Sequence, residues 1–354
     1  GLSEPPSQAP AAGESDPDAA AVARVVASSP KLRALAGYAE GRRGALPFVL
    51  AEVRPGNQSD GGLACSTATC RAGCQWGTCW EGSCRCFEGA SGPRCEVLGK
   101  RPCHRSRRLG INVAGVADWS TQLLFVDHAR AARGFVSQSM AGGDYTWENA
   151  WPLNLSAAGE LAALAPLQAA GTMLLRDLGG HYEPGTYVVL YDGDGIVVPM
   201  MDDVQAVRRT APGRLEVDLK PTTGLNNGLF LRIERTNPLN PVRRLRVTRL
   251  EHEASFESFP FHPRALARLG GLFSSIRAMD LLNTNNNLQR RWSERVTRAN
   301  RTFTQQGVPL EDVVLLANTQ AMDLWLTVPV AANDDYVLAM ARLVKSTLRP
   351  DLNV

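Results

Sequence analysis

Cysteine is absent from residues 1–64 and 104–354, and no apolar run approaches the roughly 18 residues that a membrane-crossing helix needs. No membrane span is therefore expected. Histidine is scarce: His104, His128, His181, His252 and His262 are dispersed, without His-x3-His or His-Glu-x2-His spacing, which argues against a metal catalyst. Neither Gly-x-Ser-x-Gly nor a phosphate-cradling glycine loop is present, and no cofactor is expected. Asp192, Asp194, Asp202 and Asp203 lack the ligand order of a twelve-residue calcium loop and read as turn and hairpin residues. The net charge of +3 selects no partner. The pairs Arg107-Arg108 and Arg243-Arg244 could suggest phosphate binding, but they are short and lack interleaved aromatics. They read as solvated faces, and nucleic acid is not expected as a partner. The chain opens on Gly1 without an initiator methionine or signal peptide, so the true N terminus is expected upstream.

What is present is concentrated. All eight cysteines lie between Cys65 and Cys103, with the spacing Cys70-x3-Cys74-x4-Cys79-x4-Cys84-x-Cys86-x8-Cys95. So short a segment cannot bury a core, and crosslinks must replace one. Six cysteines permit fifteen pairings, and spacing alone does not choose among them. A zinc site is the rival, but no Cys-x2-Cys pair occurs. The last loop, Cys86 to Cys95, carries Gly89 and Gly92 where a double turn needs positive φ.

Over about residues 65 to 96 these residues resemble the epidermal growth factor-like module of the tenascin and teneurin type. The resemblance implies bridges Cys70 to Cys79, Cys74 to Cys84 and Cys86 to Cys95, leaving Cys65 and Cys103, which would pair with each other. Calcium-binding versions carry acidic residues before the first cysteine. Here that segment is Cys65-Ser-Thr-Ala-Thr, so calcium is not expected. Sequons at Asn57, Asn154 and Asn300 also fit a secreted protein.

With 354 residues and 44% hydrophobic content the chain can hold two or three folded domains. Residues 1–64 read as a linker, with one possible helix between Asp18 and Ala39, broken at Pro30. Residues 65–103 are the disulfide module, and 104–170 begin an α/β region with a strand in 109–116 and a helix over 121–133. Residues 171–255 alternate in polarity, as in Leu215, Val217 and Leu219 against Glu216 and Asp218, which predicts an inserted antiparallel β-sandwich. Tyr191-Asp-Gly-Asp-Gly195 reads as a hairpin turn. The α/β pattern resumes over 256–354, with strands in 274–280 and 323–328, helices over 288–299 and 309–321, and a helix capped by Asn333 whose stripe is Val337, Met340, Ala341 and Val344. Leu352–Val354 would open another strand.

Three segments, Gly110–Trp119, Ile276–Asp280 with Thr284-Asn285, and Trp325–Pro329 with Asn333–Tyr336, resemble secreted cellulase-like proteins related to retaining glycoside hydrolases of the large barrel clan. The resemblance spans about residues 107 to 354. It implies a multidomain fold: a small disulfide-rich EGF-like module plus a partial α/β (β/α)8 barrel interrupted by the antiparallel β-sandwich. In that clan a glutamate ending the fourth strand is the acid/base and one on the seventh is the nucleophile, about 5 Å apart. The resemblance puts Val354 before either, so no catalytic residue is expected here. What it implies is a sugar-binding side of the groove made by Asp118, Trp119, Arg277, Asp280, Asn285, Trp325 and Asp334, with the two tryptophans stacking on pyranose rings. Each has a plainer reading: Trp325 as core, Arg277 and Asp280 as an internal pair, Asp334 as a helix-start charge. The expected function is therefore that of a secreted carbohydrate-active protein whose partner is a polysaccharide or glycan. The alternative is a non-catalytic matrix or adhesion protein that also binds extracellular protein partners.

Overall fold

The cysteine-rich segment has too few apolar side chains for a core of its own, and its fold rests on crosslinks and short strand pairs. The computed structural model describes residues 74–80, 83–99, 109–140, 151–270 and 272–354. The expected linker over 1–64, the pairings of Cys70 with Cys79 and Cys65 with Cys103, and Asn57 lie outside the described residues. Strands β1 (Gly77–Trp80) and β2 (Ser83–Cys86) pair antiparallel, as do β3 (Ala90–Ser91) and β4 (Val97–Leu98). Disulfides join Cys74 to Cys84 and Cys86 to Cys95, two of the pairs named above. Buried Cys84, Ala90 and Cys95, with Cys74, Trp76, Cys86 and Leu98 against them, make a small apolar cluster. Gly89 and Gly92 have φ of 76° and 95°, and a Cβ at Gly92 would meet the Glu96 carboxyl at 2.8 Å.

The module rests on the helical part of the chain. Phe87 packs on Phe259 with ring centroids 6.3 Å apart. Arg349 donates to the Glu88 backbone oxygen at 2.5 Å.

Beyond β5 (Gly110–Asn112) the chain enters a run of ten strands: β6 (Val136–Ser139), β7 (Asn154–Leu155), β8 (Leu161–Ala163), β9 (Gln168–Leu174), β10 (Gly185–Asp192), β11 (Gly195–Met200), β12 (Val204–Ala211), β13 (Arg214–Leu219), β14 (Leu229–Thr236) and β15 (Arg243–Arg249). Two antiparallel four-stranded sheets result, in the orders β12-β13-β10-β15 and β11-β14-β9-β6. Period-2 alternation sets the inner faces: Tyr187, Val189, Leu215, Val217 and Val247 from one sheet meet Leu174, Leu229, Leu231 and Ile233 from the other in one core. The sandwich takes β6 and the start of β9 from before residue 171, the expected boundary. Tyr191–Gly195 is not a hairpin turn: β10 and β11 belong to different sheets, and this corner carries the chain across. Gly193 (φ 88°) lets it pass, because a Cβ there would lie 2.0 Å from the Pro241 carbonyl oxygen. Asp203, fully buried, accepts from Tyr182 Oη (2.6 Å), Thr222 N (3.0 Å) and Gly228 N (2.7 Å), and so ties three loops together.

The last third alternates helices with two more strands: α1 (Pro263–Leu269), β16 (Ser275–Arg277), α2 (Leu310–Gln320), β17 (Asp323–Trp325) and α3 (Asp334–Thr347). β5, β16 and β17 form an open three-stranded parallel sheet with β16 in the centre. Ile276 and Leu324 bury one side of it against Val313, Val314, Ala317, Met340 and Val344. In α3 the Asn333 carboxamide caps Tyr336 N at 3.0 Å, and Tyr336, Met340 and Val344 are its buried positions.

The fold is not a (β/α)8 barrel. Strands in several small sheets dominate, the described residues contain three α-helices, and they include no closed barrel. The reason lies in the segments read as crossover helices. Residues 121–133 form only a short 3-10 turn at His128–Ala131, because the Asp127 carboxylate accepts from both Ala129 N (3.0 Å) and Val247 N (2.9 Å) and so fastens the segment to β15. Residues 288–299 likewise give one 3-10 turn, Trp292–Glu294, whose start Glu294 caps by accepting from Arg290 N and Arg291 N, and the backbone returns to an extended conformation at Arg295. Leu352–Val354 forms no strand, although Leu324 N donates to Asn353 O at 2.8 Å.

Candidate functional site

The parallel sheet positions the site. Its register aligns Asn112, Arg277 and Trp325, the last residues of β5, β16 and β17, in one row across the sheet. Ile276 and Leu324, one position earlier, point into the core, so by strand alternation the row faces the opposite side.

Along the row the side chains engage one another. The Arg277 guanidinium carbon lies 5.2 Å from the Trp325 ring centroid, a cation–π arrangement. Arg277 Nη2 also contacts Met279 Sδ at 3.0 Å, and its Nε is buried without a hydrogen-bond partner. Asn112 Nδ2 donates to Asp280 Oδ2 at 2.5 Å, which orients the carboxylate over the end of β5. Trp325 remains 45% exposed, enough indole for an apolar ring to rest on. The cluster thus offers an aromatic plane, a guanidinium, a carboxylate and an amide within one sheet edge.

Of the residues singled out in the sequence, Arg277, Asp280 and Trp325 come together there. Trp119 is 61% exposed on the loop after β5. Its neighbour Asp118 turns inward, where it receives Arg133 Nε at 2.8 Å. Burial pushes the Asp118 carboxyl above its ordinary value despite that arginine, and its Oδ2 has no hydrogen-bond partner. The cavity beside it holds about 20 Å³, far too small for a sugar ring. Asn285 is exposed in the turn after β16, and Asp334 is exposed in the first turn of α3, where it favours the helix dipole. Asn154 is exposed in β7, while Asn300 is half-buried with its Oδ1 accepting from Thr297 N at 2.9 Å. Asn112 was missed, because only the parallel register shows that it shares a row with Arg277.

Among the described residues no group of three or more His, Cys, Asp or Glu side chains is placed to hold a metal ion. No described helix is long and apolar enough to cross a membrane. Compared with known proteins, the chain matches no protein-family model, no curated protein and no solved structure.

Proposed function

We propose that this is an extracellular carbohydrate-binding protein whose ligand rests on the Asn112–Arg277–Trp325 row. The observation that carries the reading is the half-exposed indole of Trp325, held by Arg277 beside the Asn112–Asp280 pair. The apolar face of a pyranose matches an aromatic plane, and carboxylate, amide and guanidinium supply acceptors and donors for its hydroxyls. The disulfide module supports an oxidising compartment, as do the sequons at Asn154 and Asn300. Binding rather than cleavage is the reading, because retaining hydrolysis needs two carboxyls about 5 Å apart and the cluster holds one, Asp280.

A glycan array probed with the wild-type chain and with Trp325→Ala tests it. The expected result is a restricted set of bound oligosaccharides that the variant loses. Equal array profiles for the two proteins would refute it.

A further inference from the structure

A second concavity lies away from that row. Between β15 of the sandwich and the loop running from residue 298 into α2 is a cleft of about 630 Å³, within the range of small-molecule sites. Six arginines line it: Arg130, Arg243, Arg244, Arg246, Arg298 and Arg301. Four carboxylates line it too, and the structure shows how they are used. Asp312 takes Arg298 (2.7 Å), Asp127 takes Arg130 (3.3 Å), Glu257 takes Arg246 (3.0 Å) and Arg244 (3.4 Å), and Glu160 accepts from Arg244 N (3.0 Å).

Two cations are left over. Arg243, at the exposed lip, donates only to the neutral oxygens of Asn240 (2.9 Å) and Pro241 (3.2 Å). Arg301 is buried at the inner wall over the Phe135 ring (3.9 Å), donates from Nη2 to the Arg133 carbonyl (2.5 Å) and from Nη1 to Thr172 Oγ1 (3.4 Å), and keeps a buried Nε with no partner. No ion pair joins either to a carboxylate among the described residues. A buried guanidinium without a direct ion pair is costly, and burial draws the Arg301 group down to about 10 in spite of the nearby Glu160 charge. An anion entering the cleft would offset that cost. The remaining walls are Phe256, Phe303 and Pro241, with the hydroxyls of Ser156 and Ser258.

We propose that this cleft is a binding site for an acidic sugar, one whose carboxylate or sulfate faces Arg243 while its ring lies against Phe256 and Pro241, with Arg301 adding positive charge to the inner wall. The Arg243 guanidinium matches either anion in bidentate fashion, and the serines suit ring hydroxyls. The site is separate from the Trp325 row and does not depend on a ligand there.

Calorimetric titration of the full chain with tetragalacturonate, a sulfated disaccharide and neutral cellotetraose tests the proposal and tells the two anion sources apart. One of the acidic probes is expected to bind at one-to-one stoichiometry and to weaken as salt is raised. Arg243→Glu, an exposed change, and Ala299→Trp, which fills the cleft without removing a charge, are each expected to weaken it at least tenfold while leaving the melting temperature in place. Failure of both acidic probes to bind, or binding that survives both substitutions, would overturn the site. So would loss of the acidic probe in Trp325→Ala with Arg243→Glu unaffected, a result that would leave the Trp325 row standing.

Discussion

Arg349, just past the end of α3, holds the disulfide module through the backbone oxygen of Glu88 at 2.5 Å. Its side chain is fully buried, pairs with Asp351 at 2.8 and 3.1 Å, and also reaches the Asn318 carbonyl at 3.1 Å. Removing it takes a charged donor away from the Glu88 and Asn318 carbonyls and from the Asp351 carboxylate. Arg349→Ala is expected to destabilise the chain by about 3 kcal/mol, measured by urea unfolding. A change below 0.5 kcal/mol, roughly the scale of a surface substitution, would show that the module is not anchored this way.

The sandwich core makes a contrasting pair. Leu231 in β14 is wholly buried, whereas Val207, on the edge strand β12, faces the same side as Val217 yet is exposed. Leu231→Ala should cost about 2–5 kcal/mol through lost transfer energy and the cavity left behind. Val207→Thr should stay within about 0.5 kcal/mol. Similar costs at the two sites would contradict the placing of the core at β14 and of β12 at the exposed edge.

Crosslinking dominates the module's stability. Cys74–Cys84 and Cys86–Cys95 span 10 and 9 residues, and loops of that size are worth about 2–3 kcal/mol each in the chain-entropy view. Peptide mapping without reductant should recover both crosslinks. Reduction should open residues 74–99 to protease while the sandwich stays resistant. Simultaneous digestion of both would show that the module is not the separately stapled element described.

Acid should expose the buried histidines. Burial, reinforced by neighbouring positive groups, holds His128 at about 3 and His262 at about 4, both below the ordinary 6.5. At pH 5 these groups are neutral when folded and protonated when unfolded. Their contribution is complete above pH 6.5 and is lost as pH falls towards 4, at about 1.4 kcal/mol per pH unit for each group. Asp118, Asp127 and Asp312, raised by burial, act in the opposite sense, so the difference between wild type and a variant isolates the histidine part. His128 packs on Tyr187 with centroids 5.7 Å apart, which makes His128→Phe a fair replacement. Its melting temperature should fall less steeply than that of wild type between pH 6.5 and 4.5. Parallel slopes would show that His128 does not titrate with folding.

Local patterns in the sequence were reliable where one element decides its own form. The alternation Leu215, Val217, Leu219 appears as β13, and Asn333 caps α3 as its position implied. Features set by distant partners were not legible. Residues 121–133 look helical until Asp127 meets Val247, 120 positions away, and Tyr191–Gly195 looks like a hairpin until Gly193 is seated against Pro241. The barrel expectation failed for the same reason: apolar segments that pass for crossover helices are held in loops by contacts the sequence does not display. Part of the site was visible in Arg277, Asp280 and Trp325. Asn112 was not, nor was the arginine cleft, whose arginines come from three separated segments and include Arg243 and Arg244, which read as a solvated pair.

The proposed role of Trp325 and its row is to bind a glycan without cleaving it. The most direct measurement is a calorimetric titration of wild type and Trp325→Ala with the strongest oligosaccharide from the array, followed by mass analysis of the recovered ligand. Loss of one stacked ring should weaken binding at least tenfold, equivalent to about 1.4 kcal/mol, with the ligand recovered intact. Equal affinity in the two proteins, or a ligand returned in shorter pieces, would contradict the account.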